Sequence, residues 1–187
     1  MAFRERTDSS VWQRLAGCFL TLVLAACSTL PPEGIPVVTS FDIARYEGKW
    51  YEIARLDHSF ERGLTDVNAT YHRLPGGTVE VVNRGFDAQR GAWRQAVGKA
   101  RFNRGESEGT LKVSFFGPFY GGYHIVALDQ AHYRWSMVVG PDRDYLWILS
   151  RDKKLPTEVR SRLLEQARSF GFATDRLIWV THDREDG

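Results

Sequence analysis

The chain has 187 residues, with 25 Lys and Arg against 23 Asp and Glu, 43% hydrophobic and 13% aromatic residues, and two cysteines. A near-neutral chain with no basic stripe and no long charge run is not built for nucleic acid, and two cysteines do not make a disulfide scaffold. The length suits one domain with a real core, packed without a cross-link and supplied with apolar area by its aromatic residues.

The first 26 residues read as an export signal. Arg4, Arg6 and Arg14 give a basic start, Leu15 to Val23 is an apolar run, and small residues Ala25 and Ala26 precede Cys27. The run is too short to span a bilayer of about 30 Å as a helix. Leu24-Ala25-Ala26-Cys27 resembles the bacterial lipobox, at which the signal is removed and the cysteine acylated. Ser28 follows where an Asp would resemble an inner-membrane retention signal, so the resemblance implies an outer-membrane address through a lipid anchor. A single acyl chain anchors marginally, and two or more anchor firmly. Cys18 leaves with the signal and Cys27 is consumed by acylation. Three arginines against Glu5 and Asp8 leave with the signal too, so the remaining chain stays close to neutral. Residues 27–40, with Pro31, Pro32, Gly34 and Pro36, read as the acylated cysteine and a flexible, mostly extended linker.

From Phe41 the texture becomes short alternating runs separated by turn residues. Strands are expected over 49–57, 66–74, 78–86, 92–102, 110–116, 122–128, 134–139 and 144–151. The turns carry Pro75-Gly76-Gly77, Asp87 to Gly91, Gly105 to Gly109, Gly117-Pro118, Asp129-Gln130 and Gly140-Pro141-Asp142. Val159, Leu163, Ala167 and Phe170 then recur at helical spacing over 156–170, with Pro156 at the start and Gly171 after the end. A short final strand is expected at 177–180. The reading is all-β: an eight-stranded antiparallel up-and-down β-barrel over 41–187, with one C-terminal α-helix packed outside.

Gly48-Lys49-Trp50 before the first strand matches the G-x-W signature of lipocalins. Leu146-Trp147-Ile148-Leu149-Ser150-Arg151 resembles that family's last-strand motif, which ends in Arg. The runs Phe115 to Tyr123 and Gly140 to Tyr145 are similar to bacterial outer-membrane lipocalins, and the resemblance covers about Phe41 to His182. One triplet departs: the family's Thr-Asp-Tyr turn reads Leu128-Asp129-Gln130, keeping only the Asp. In an up-and-down barrel the start of strand one, the turn after strand six and the end of strand eight share one end. Gly48, Trp50, Asp129 and Arg151 are therefore expected to form a barrel floor, with the Arg151 guanidinium stacked on the Trp50 indole. These are structural, not catalytic, residues.

Side chains alternate in and out along a strand. Arg151 at the floor then turns Leu149, Trp147 and Tyr145 inward, and Trp50 turns Glu52 and Ala54 inward unless a bulge intervenes. Ala96, Gly98, Ala100 and Phe102 form an inward face on strand four, joined by Tyr71, Val113, Phe115, Tyr123 and Ile125. Glu52 either meets a buried polar partner or turns to solvent, because a buried unpaired carboxylate is costly. At the mouth, Phe60, Leu64, Phe119 and Tyr120 either cover the open end or touch membrane and guide a lipid chain in. An apolar cup accepts an acyl chain, and the resemblance implies fatty acids or lysophospholipids as ligands, with a homodimer allowed by analogy with relatives. No cofactor and no metal is expected: the five histidines lack ligand spacing, and there is no G-x-S-x-G elbow or phosphate-cradling loop. The alternatives are an enzyme on the same barrel, with Glu52 as the candidate acid or base, and a structural envelope lipoprotein.

Overall fold

The computed structural model describes residues 29–185. The signal segment and Cys27 lie outside the described residues. Alternating Val, Ile, Thr and aromatic residues form nine strands: β1 (Gly48–Arg55), β2 (Leu64–Arg73), β3 (Val79–Asp87), β4 (Ala92–Phe102), β5 (Thr110–Phe116), β6 (Phe119–Leu128), β7 (Trp135–Val139), β8 (Leu146–Ser150) and β9 (Ile178–Trp179). Each of β1 to β7 pairs antiparallel with the next, and β1 also pairs with β8, so the first eight strands close on themselves. Bulges in β1, β2, β5 and β6 raise the local twist that closure needs. β6 starts at Phe119, ahead of the expected 122, because Phe116 pairs with Phe119 across Gly117-Pro118. Gly121 and Gly122 supply no alternation that would reveal this stretch.

A short helix α1 (Ile43–Tyr46) precedes β1 and was not anticipated. Four residues carry no periodicity; its one local signal is Asp42, whose Oδ1 accepts from Ala44 N at 2.9 Å. The predicted helix is present as α2 (Thr157–Ser169). Gly171, with φ of 83°, ends it. Leu163 and Ala167 bury fully against an outer core of Ile53, Ala54, Met137, Val139, Leu146 and Ile148, so α2 covers the wall made by β1 and β6 to β8. A second core fills the barrel itself.

β1 has three neighbours. Its first half pairs with β2, and where β2 diverges β9 takes the vacated edge, with Ala54 opposite Trp179. Val180 N donates to Ile53 O at 3.0 Å and Asp66 N to Thr181 O at 2.8 Å, so the C-terminal segment seals the seam between β1 and β2.

Residues 29–40 contain no helix, as expected, but they are tied along the barrel's outside. Asn103 Nδ2 donates to Thr29 O at 2.6 Å, Arg143 to Glu33 O at 3.2 Å, and Val38 exchanges backbone bonds with Ile125 and Gly109. Ile35 is buried in the outer core. This strap covers His124, whose Nδ1 bonds Thr110 Oγ1 at 2.9 Å. Burial pushes the imidazole down to about 4. The unfolded chain therefore takes up the proton first, and stability falls as pH drops from about 6.5 toward about 4, by at most about 1.4 kcal/mol per pH unit. Urea unfolding of His124→Gln is expected to flatten this slope; an unchanged slope would show that other groups set it.

Candidate functional site

The closed end is built around Trp50, which is completely buried. Its Nε1 donates to Tyr46 O at 2.8 Å, and the Arg151 guanidinium stacks 4.0 Å above the ring. Arg151 also donates to the carbonyls of Lys49, Arg45 and Tyr133 at 2.8, 2.9 and 3.3 Å. One side chain thus ties β1, α1 and the β6–β7 turn. Gly48 sits at φ 87°, where a Cβ would lie 3.4 Å from Arg151 Nη1. Asp129 accepts from His132 N and Arg134 N, so the departing triplet keeps its turn. All four expected floor residues lie at this end.

Above the floor is a layer of hydroxyls. Tyr46 OH bonds Tyr123 OH at 2.9 Å and Ser136 Oγ at 3.0 Å, and Tyr71 OH bonds Tyr123 OH at 2.7 Å. Burial pushes the Tyr46 hydroxyl up to about 12, and Tyr71 and Tyr123 are raised for the same reason, so all three stay protonated and act as neutral donors and acceptors. Around this layer lies an apolar pocket lined by Phe41, Ile43, Tyr46, Tyr71, Val79, Val81, Ala100, Leu111, Val113, Tyr123 and Ile125. Its clearance is about 10 Å³, room for one water molecule. The cup is narrower than an open acyl-chain channel.

Five of the expected lining residues, Tyr71, Ala100, Val113, Tyr123 and Ile125, meet in this pocket. Phe102, Phe115 and Trp147 are half-buried against the same inner core. Phe115 lies over Gly98, where a Cβ would come within 2.8 Å of its ring. Ala96 is exposed toward the mouth. Ala54 is placed differently. The register of β1 on β8 shifts between Glu52 and Ala54, so Ala54 turns outward to the α2 side and Arg55 turns inward beside Trp147. Tyr145 stands at the mouth, stacked 4.4 Å from His58, rather than in the pocket.

Arg55 completes a buried charge cluster that the alternation rule missed. Its Nη1 meets Glu52 Oε1 at 2.6 Å, and its Nη2 donates to Glu61 O at 2.9 Å. Glu61 comes from the β1–β2 loop, and its Oε2 accepts from Trp147 Nε1 at 3.2 Å and lies 3.6 Å from Arg55 Nε. Glu52 therefore has the polar partner its burial demanded. Burial, with Glu61 alongside, holds the Glu52 carboxyl well above the usual range against the pull of Arg55. Glu61 is raised too, chiefly by burial. The β1–β2 loop thus folds over the mouth, with His58 stacked between Phe60 and Tyr145. The missed lining residues Val79 and Val81 follow simple alternation on β3, whereas Tyr46 required α1.

The geometry is a closed-bottom barrel with an apolar interior and an outer helix. A lipocalin-like domain family matches residues 41–182. The chain belongs to the lipocalin family. It is 52% identical over 159 residues to the outer membrane lipoprotein Blc of Escherichia coli K12, covering 85% of this chain and 89% of that one. It is 45% identical over 165 residues to the Blc lipoprotein of Vibrio cholerae, covering 85% and 96%. Among solved structures, insecticyanin from the tobacco hornworm aligns with a TM-score of 0.65 at 20% identity, covering 81% of this chain and 86% of that one, a likeness of fold. The lipocalin's floor, G-x-W glycine and terminal strand arginine are thus the residues that carried the resemblance. Among the described residues no helix is long and apolar enough to cross a membrane, and no three His, Cys, Asp or Glu side chains gather as a metal site.

Proposed function

We propose that this lipocalin is carried in the outer membrane by acylation of Cys27, after removal of residues 1–26, and binds a fatty acid or lysophospholipid in its barrel for lipid storage or transport. Its kinship with the outer membrane Blc lipoproteins supports the address. The observation that carries the ligand class is the lining: an apolar wall from β2 to β6 above a sealed floor, with hydroxyls in one layer. Each buried methylene contributes about 0.8 kcal/mol, while a clearance of one water requires side chains to turn aside. The half-buried Phe102 and Phe115 are the side chains proposed to do so.

Titration with a fluorescent fatty acid is expected to saturate at one site, with displacement by lysophospholipids that strengthens as the acyl chain lengthens. Binding that never saturates, or that ignores chain length, would defeat the reading. The function proposed is binding rather than catalysis, a reading supported by the Glu52–Arg55 pair at 2.6 Å, which engages the candidate acid or base. Glu52→Gln is accordingly expected to retain binding of an uncharged lipid.

A further inference from the structure

The outer face of β4 and β5 brings cations into facing positions. Ala100, Leu111 and Val113 line the inside, so Lys99, Arg101 and Lys112 point outward. Arg101 lies directly opposite Lys112 across β4 and β5. Like charges in facing positions destabilise a sheet. Among the described residues no acidic side chain forms an ion pair with Lys99, Arg101 or Lys112. Glu80 is the cross-strand neighbour of Lys99 without pairing with it, and Glu108 is engaged by Arg104. At the mouth end of the same face the β5–β6 hairpin exposes Phe116 and Phe119, at 81% and 71%, and Val97 on β4 is 50% exposed. Lys112 lies 5.4 Å from the Tyr120 ring. Cations interleaved with exposed aromatic side chains match the interface of an anionic bilayer.

The place where the chain arrives selects the occupant. Asn103, immediately after β4, holds Thr29 O at 2.6 Å. Cys27 stands two residues upstream and reaches no more than about 7 Å beyond Thr29. Thr29, two residues from the anchor, and the Phe116–Phe119 tip therefore bracket one basic wall. We propose that the barrel lies on its side, with the outer face of β4 and β5 and the β5–β6 hairpin tip against the anionic surface of the membrane that holds its acyl anchor. Lys99, Arg101 and Lys112 then sit among headgroup phosphates, Phe116 and Phe119 enter the interface, and the mouth opens along the bilayer rather than away from it. The proposal rests on the reading that Cys27 is acylated.

The test uses the mature lipoprotein in vesicles containing phosphatidylglycerol, with a fluorophore on one introduced cysteine at a time: Gln95→Cys on the basic wall, His132→Cys at the closed end, or Glu165→Cys on α2. Nitroxide-bearing lipids are expected to quench the label at position 95 severalfold more than the other two. Lys99→Glu, Arg101→Glu and Lys112→Glu together are expected to abolish the difference, since each cation near such a surface favours contact about fivefold. Strongest quenching at 132 would mean an upright barrel standing on its floor, and equal quenching at all three, or no effect of the charge reversals, would also overturn the proposal. Mass spectrometry of the same sample reads the anchor separately: a Cys27 without acyl groups would sink the anchoring reading itself, and this proposal with it.

Discussion

Replacing Arg55 by methionine is expected to destabilise the fold by about 3–5 kcal/mol, because it leaves two buried carboxylates without their cation. Glu52, Arg55 and Glu61 are all at most 8% exposed, so water cannot take over the guanidinium's role. A simple packing defect would show no pH dependence; this one must. Both carboxyls are already held above their ordinary range, and without Arg55 they rise further. An acid with a raised folded-state value binds its proton more tightly in the folded chain than in the unfolded one. Its penalty is absent below the unfolded value and grows as pH rises through the window between the two. Urea unfolding of Arg55→Met is therefore expected to show a smaller loss at about pH 5 than at about pH 8. Adding Glu52→Gln and Glu61→Gln is expected to restore much of the stability. A pH-independent loss would show that Arg55 acts by volume alone.

Trp50→Ala is expected to cost about 3–5 kcal/mol, the range for truncating a large buried aromatic residue. The indole is completely buried, donates to Tyr46 O and supports the Arg151 guanidinium. Stacking accounts for about 0.5–2 kcal/mol of the loss, and the void for the rest. Arg151 keeps its three carbonyl bonds, so Trp50→Phe, which retains a ring face, is expected to cost clearly less. Denaturant midpoints of the two variants at equal m-value measure the difference. Equal costs would place the weight on the indole N–H instead.

The barrel was legible because its signals are local and repeated. Alternation on β4 and β5 placed Ala100 and Val113 inside, and turn chemistry bounded nearly every strand. The floor was legible through topology: three positions far apart in sequence had to share an end, and Trp50 and Arg151 stack there. What was hidden depends on irregularity. A single extra residue in β1 inverted Ala54 and brought Arg55 inside, and nothing in Glu52-Ile53-Ala54-Arg55 announces a bulge. Glu61 reaches the interior from a loop, where period-two reasoning has no purchase. The strap over 29–40 reads as linker because its bonds use backbone carbonyls, such as those of Thr29 and Glu33, which any residue would supply. The narrowness of the pocket is also invisible to alternation, since it depends on how deeply Tyr46, Tyr71 and Tyr123 lean together over the axis.

The most direct measurement is a crystal structure of the protein grown with a fatty acid brominated near the end of its chain. The bromine is expected to give an anomalous peak inside the barrel, between Tyr71, Ala100 and Val113, with Phe115 or Phe102 turned from its present position. Bromine only at the outer surface, in crystals of a protein that still binds the lipid in solution, would contradict an interior site.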